Sequence, residues 1–236
     1  TAYGKLDELS KAAFPPKEYE RAVDLFCARL FMSWETSQFT ISTAEPEPAE
    51  KNVGFYLRPY GIVGGGTIIY AREGTGKSYM LQIMAVSIAH GFDGLWPVTQ
   101  GLVCYLNLER DGQGLARREY YIRHAIGITD HSRVNYLHAR GWSLRAVQKT
   151  VKTFIQEHPG CILFLDSISR SDIGGSLIED DTANNWTTLM NSLSRSWFAV
   201  GHTSKANNEE IYGSVHWMAG ADLGIKLLSE QRGNAL

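Results

Sequence analysis

Three cysteines in 236 residues are too few, and too odd in number, for a disulfide framework. Cys27, Cys104 and Cys161 lie far apart, each inside an apolar run (LFCARL, LVCYLN, CILFLD). That scatter argues against a zinc site and predicts buried, reduced thiols. Charge of one sign is lacking too. With 23 Lys and Arg against 25 Asp and Glu the formal net charge is −2, so no global basic field advertises a nucleic-acid binder. Loops lining the inside of a ring would still be compatible with a bound strand. No apolar run approaches the length of a membrane span, and the first residues lack a signal-peptide pattern. The expectation is a cytoplasmic protein with no membrane partner. Apolar residues, by contrast, make up 44% of the chain, ample for one large α/β domain or a domain with an appendage.

Residues 1 to about 43 carry helical periodicity and no recognisable chemistry. PPKEYERAVDLFCARLF starts on proline and sets Val23, Phe26, Leu30 and Phe31 on one face. TAEPEPAEKN then alternates proline with acid, as a linker or exposed loop does. This predicts a helical extension and linker over 1–52 and a main domain over 53–236.

Within the main domain the expected strands are TIIY (67–70), LVCYLNL (102–108), VNYLH (134–138), CILFLD (161–166), WFAVGH (197–202) and DLGIKLL (222–228). Helices are expected from Gly76 to His90, near Gly114 to Ile126, and from Leu144 to Glu157, the last capped by Ser143 and ended by HPG. Continuous apolar strands alternating with helices predict an α/β fold with a mainly parallel central sheet covered on both faces.

The chemistry starts at TIIYAREGTGKSYM, Thr67 to Met80. An apolar strand enters a glycine-rich turn that leaves through Gly76, Lys77 and Ser78. Successive backbone N–H groups in such a turn, with the helix N-terminus behind them, favour an anion. Glu73, Gly74, Thr75, Gly76, Lys77, Ser78 and Tyr79 are therefore the expected nucleotide-binding segment. Lys77 would reach the β- and γ-phosphates of ATP, and the Ser78 hydroxyl would ligate Mg²⁺. Ala71 stands where the phosphate-loop pattern usually begins with glycine, while the crowded end of the loop is intact. Further on, CILFLDSISR ends an apolar strand in Asp166. Alone, such an Asp serves equally well as a helix cap. Beside a phosphate loop it is the expected second metal ligand. Ser167, not Glu, follows it, so the group that activates water must lie elsewhere. Glu109, at the end of VCYLNLE, sits on the rim where parallel sheets bind ligands, although it could also be a surface acid capping the next helix.

AREGTGKS, YLNLERD, ILFLDSIS, VGHTSKAN and YGSVHWMAGADLGIKL resemble, in order and spacing, the RecA-like P-loop ATPases. Within them the chain is most similar to the hexameric replicative helicases of the plasmid RepA type, and more distantly to DnaB. The resemblance covers about Val53 to Leu228. It implies a RecA-like core in which WFAVGH lies between the phosphate-loop strand and CILFLD. It also implies that Glu109 is the catalytic base, that Arg118 packs against the adenine, and that His202 senses the γ-phosphate from its strand end. His216 and Trp217 are bulky departures from the family pattern in the last motif.

Neighbouring subunits in such rings donate an Arg or Lys finger, for which Lys226 and Arg232 are the candidates here. The segments expected to meet single-stranded DNA, RSDIGGSLIEDDTANN and SKANNEEIYGS, offer Arg170 in the first and Lys205 with Asn207 and Asn208 in the second. The leading expectation is an ATP-hydrolysing motor of a plasmid, phage or mobile element, working as a homohexameric ring on single-stranded DNA. The alternative is a RecA-like regulatory or assembly ATPase without unwinding. A small-molecule kinase is disfavoured, because the acidic RSDIGGSLIEDD is no arginine-rich lid. A GTPase is disfavoured by the absence of a guanine-reading Asn-Lys-x-Asp.

Overall fold

A computed structural model of the chain describes residues 16–37, 54–203, 210–213 and 216–229. The chain divides between Lys51 and Asn52 into two units. In the first, Pro16–Ser37 forms one helix, α1. Pro16 opens it, where a missing N–H costs nothing, and Glu18 lies in the first turn, facing the positive end of the helix dipole. Val23, Phe26, Leu30 and Phe31 are all exposed, and so is Cys27. The expected burial of that thiol therefore fails: within the first unit the described residues form this helix alone. The acid–proline stretch lies outside the described residues.

The second unit begins with a small antiparallel pair, β1 (Phe55–Leu57) and β2 (Gly61–Ile62). Strands of three and two residues are too short to show a periodicity, and no pattern in the chain announces them. The main sheet has six strands: β3 (Gly66–Ala71), β4 (Val103–Asn107), β5 (Val134–His138), β6 (Ile162–Asp166), β7 (Trp197–His202) and β8 (Leu223–Lys226). Their order is β5-β4-β6-β7-β3-β8, and every neighbouring pair is parallel. WFAVGH lies between the phosphate-loop strand and CILFLD, as expected.

Strand alternation divides the core into two. Ile69, Tyr105, Phe164 and Phe198 face one side, where they meet α2 (Lys77–His90) and α3 (Gly112–Ala125) through Leu81, Met84, Ile88, Leu115 and Ile122. Ile68, Leu106, Leu163, Leu165 and Ala199 face the other, against α4 (Leu144–Glu157) and α5 (Asp180–Leu193) through Leu144, Val151, Trp186 and Met190. Gly66 is required by this packing. A Cβ there would lie 2.1 Å from the Trp197 ring.

The helix α4 has the expected bounds, and the Ser143 hydroxyl accepts from the Ala146 N–H at 3.2 Å. The helix α5 corrects an expectation. Residues 180–185, expected within a strand-binding loop, form its first turns, where Asp180 and Asp181 favour the helix N-terminus. A short helix α6 (His216–Ala219) precedes β8, and the bulky Trp217 within it is buried against Trp186.

Candidate functional site

The C-terminal ends of the parallel strands open onto one cavity of about 1020 Å³. Sheet order decides what meets there. The phosphate loop leaves β3, and Ala71 at its root pairs in register with His202 at the tip of β7. On the other side Asn107 of β4 pairs with Asp166 of β6. Glu73, Gly74, Gly76, Lys77, Ser78, Tyr79, Glu109, Asp166 and His202 all line the cavity. Thr75 lies within the turn, its hydroxyl donating to the Arg72 carbonyl at 2.8 Å.

Gly76 caps α2 with φ of 93°, a left-handed conformation that glycine adopts without strain. Lys77 then starts the helix with its Nζ donating to the carbonyls of Ala71 (2.9 Å) and Arg72 (2.7 Å), so its charge lies across the loop. Burial lowers its pKa, opposed by the attraction of Glu109, Asp166 and Glu73.

Asp166 is fully buried. Its Oδ1 accepts from the Ser78 hydroxyl at 3.0 Å and its Oδ2 from the Tyr105 hydroxyl at 3.2 Å. Burial pushes its carboxyl pKa up, Glu109 adds to that, and the two hydrogen bonds act in the opposite sense. A divalent cation suits this donor set. A buried carboxylate whose charge is disfavoured, bonded to a serine hydroxyl, is what a hard, oxygen-seeking ion stabilises. Ser78 and Asp166 would hold it, and Mg²⁺ when bound would neutralise charge on the β- and γ-phosphates.

Glu109 is presented by a small turn built around Asn107. The Asn107 Oδ1 accepts from the backbone N–H groups of Glu109 (3.3 Å) and Arg110 (3.0 Å), and its Nδ2 donates to the Arg110 carbonyl at 2.6 Å. The Glu109 Oε1 accepts from the Ser167 hydroxyl at 2.7 Å, and Ser167 also bonds the Ser169 hydroxyl at 3.0 Å. Burial, then the neighbouring Lys77 charge, lowers the His202 pKa, so its imidazole is neutral at pH 7.

Arg118, expected against an adenine ring, is not part of the cavity wall. It is buried and stacks its guanidinium 4.7 Å from the Tyr79 ring centre, with Nη1 unpartnered. The residue is on α3, whose inner face packs on α2, and burial follows from that. Lys226 lies on the edge strand β8, and Arg232 falls outside the described residues, as do Lys205, Asn207 and Asn208.

The cavity also gathers residues that motif spacing missed: Arg110, Arg140, Trp142, Ser167 and Ser169. Arg170, expected as a contact to a nucleic-acid strand, is on the same wall. The available signal was positional. In a parallel sheet every residue just past a strand's C-terminal end is a candidate for the site.

A family model described as AAA domain matches residues 31–208, well over half of the chain. The chain belongs to the AAA domain family. No curated protein matches it significantly. Among solved structures, this AAA-family chain is similar to one described as an ATPase domain, with a TM-score of 0.56 at 15% identity, covering 88% of this chain and 83% of that one. At that identity the likeness is one of fold. Together with the six-stranded parallel sheet, these findings make the chain a RecA-like P-loop ATPase domain.

Proposed function

We propose that this domain binds ATP with Mg²⁺ and hydrolyses it. The observation that carries this reading is the convergence of Lys77, Ser78, Asp166, Glu109 and His202 on one cavity from four separate segments. In it, the phosphate loop holds the nucleotide, Glu109 orients and deprotonates the attacking water, and His202 reports the γ-phosphate to the chain beyond β7. Ser78 and Asp166 hold the cation. Tyr79 borders the cavity, and the Arg118 beneath it supports that ring.

We further propose that hydrolysis drives a homohexameric ring along single-stranded DNA, with the helical extension over 1–52 as an add-on to the ATPase domain over 53–236. This reading rests on the order of the five motifs that resemble the RepA-type helicases. Its proposed setting is the cytoplasm. No described helix is long and apolar enough to cross a membrane. The alternative, a regulatory or assembly ATPase, is favoured by one observation. The described segment after β6 is acidic at Glu179, Asp180 and Asp181, and its one arginine lies on the nucleotide cavity.

The test is the steady-state ATPase rate with and without single-stranded DNA, across a dilution series. A rate raised by DNA and by protein concentration supports the ring motor. A rate indifferent to DNA selects the regulatory reading.

A further inference from the structure

Hydrolysis leaves one charge to be met. As the terminal phosphoryl group transfers, negative charge develops on its oxygens and on the oxygen that departs with ADP, and a fixed cation beside the phosphate-loop lysine stabilises it. From the sequence alone no cation of the chain stands at a convincing position for this, which is why a neighbour's finger is expected. The cavity supplies three candidates. Arg110, Arg140 and Arg170 lie on its wall, each rooted just past the end of a different strand.

Sheet order ranks them. Neighbouring strands lie about 4.8 Å apart, so β6 is about 10 Å from β3, β4 about 14 Å and β5 about 19 Å. Arg170, beyond β6, has the root nearest the phosphate loop. That root is also held in place. The 3₁₀ turn Ile168–Arg170 is anchored by the buried Ile168, and the Ser171 backbone N–H and hydroxyl both donate to the Ile168 carbonyl, at 3.0 and 2.6 Å. The side chain itself is exposed to the cavity, and among the described residues it has no carboxylate partner within ion-pair distance. Between its strand and the phosphate-loop strand stands β7, whose tip carries His202. Arg170 is among the charges acting on that imidazole. Both residues line the same cavity.

We propose that Arg170 acts in cis, pairing its guanidinium with the terminal phosphate of the ATP held by its own phosphate loop. This rests on the ATPase reading above. In the step concerned, the water oxygen bonds to the γ-phosphorus while the bond from that phosphorus to the β,γ-bridging oxygen breaks. The electron pair leaves with ADP, and the water proton passes to the Glu109 carboxylate. Arg170 exchanges no proton. It is a catalytic residue through contact with the phosphoryl oxygens, and its planar fork suits two of them at once.

The experiment uses the full chain with Arg170→Ala and Arg170→Lys, measuring ATP affinity, single-turnover hydrolysis at saturating ATP, and binding of ADP with aluminium fluoride as a mimic of the transferring phosphate. Arg170→Ala is expected to lose on the order of 10²–10³ in rate with ATP affinity changed by less than about threefold, and to lose the fluoride complex while keeping ADP. Arg170→Lys is expected to recover part of the rate, which a merely structural loss would not. Mixing Arg170→Ala with Glu109→Gln separates cis from trans. A cis arginine leaves no intact site in the mixture, so no activity returns. Parental turnover in Arg170→Ala, or activity restored on mixing, overturns the proposal while the ATPase reading stands. If the parent chain itself binds no ATP, the ATPase reading falls and this proposal with it.

Discussion

The two walls of the nucleotide cavity are built in opposite ways. One is a single continuous stretch at the junction of β3 and α2, Glu73 to Tyr79, proposed to meet the phosphates with adjacent backbone N–H groups and one lysine. The other is assembled from the ends of β4, β5 and β6, contributing Glu109, Trp142, Asp166 and Arg170 from places far apart in the chain. Contiguity suits a task that every nucleotide state needs, holding phosphates. Assembly from several strands suits groups whose mutual distances must be set by a rigid sheet. The contrast implies that damage to the first wall shows in affinity and damage to the second in turnover.

The sharpest way to break that contrast lies on the assembled wall. Glu109→Gln keeps the shape and loses the base, so single-turnover hydrolysis should fall by about 10²–10⁴-fold while ATP affinity moves little. Wild-type hydrolysis in that variant would remove Glu109 from the chemistry. On the contiguous wall, Lys77→Ala removes a charge from the phosphates. A charge-assisted contact of about 1.5–3 kcal/mol corresponds to a loss of roughly 10–100-fold in ATP affinity, readable by titration with a fluorescent analogue. If ATP binds Lys77→Ala as tightly as the parent while turnover collapses, the division of labour between the walls is wrong.

The smallest effect falls on His202, which stands between the walls. Its pKa is lowered in the folded state, chiefly by burial and then by Lys77. Between that lowered value and the ordinary 6.5 the unfolded chain binds more protons. The neutral imidazole's contribution is therefore present above pH 6.5 and is lost as the pH falls through the folded value. Chemical denaturation at about pH 7 and about pH 5 should show the parent losing more stability on acidification than His202→Gln. Equal losses would show that the imidazole is not desolvated.

The contiguous wall was legible because its signal is local. AREGTGKS names its own loop, and the strand before it and the helix after it follow from apolar runs and a glycine. Asp166 and Glu109 were legible as acids at the ends of apolar strands, and His202 and the place of β7 between β3 and β6 through the family resemblance. The assembled wall was mostly illegible. Arg140 and Trp142 come after β5, on the far edge of the sheet, and only the observed order β5-β4-β6 brings them to the cavity. Arg118 lies off the wall for a related reason: motif position located the residue on α3 but not which way α3 turns it. The helix α5 hid behind an acidic start that looks like loop. Its buried stripe of Ala183, Trp186, Thr187 and Met190 comes later in the segment. Asn107, whose amide shapes the turn carrying Glu109, reads in sequence as one polar interruption in an apolar strand.

Trp142 gives the cavity its own optical reporter. Trp186, Trp197 and Trp217 are sealed in the core at 0–1% exposure, whereas Trp142 is 65% exposed on the cavity wall. A collisional quencher such as acrylamide therefore reaches the indole of Trp142, and that of the exposed Trp34 on α1, but not the core cluster. Trp96, half-buried edge-on to the Tyr60 ring, is reached less readily. A nucleotide that fills the space in front of Trp142 shields that emitter. In a Trp34→Phe chain the quenchable light comes chiefly from the cavity wall, so occupancy can be followed without a labelled ligand.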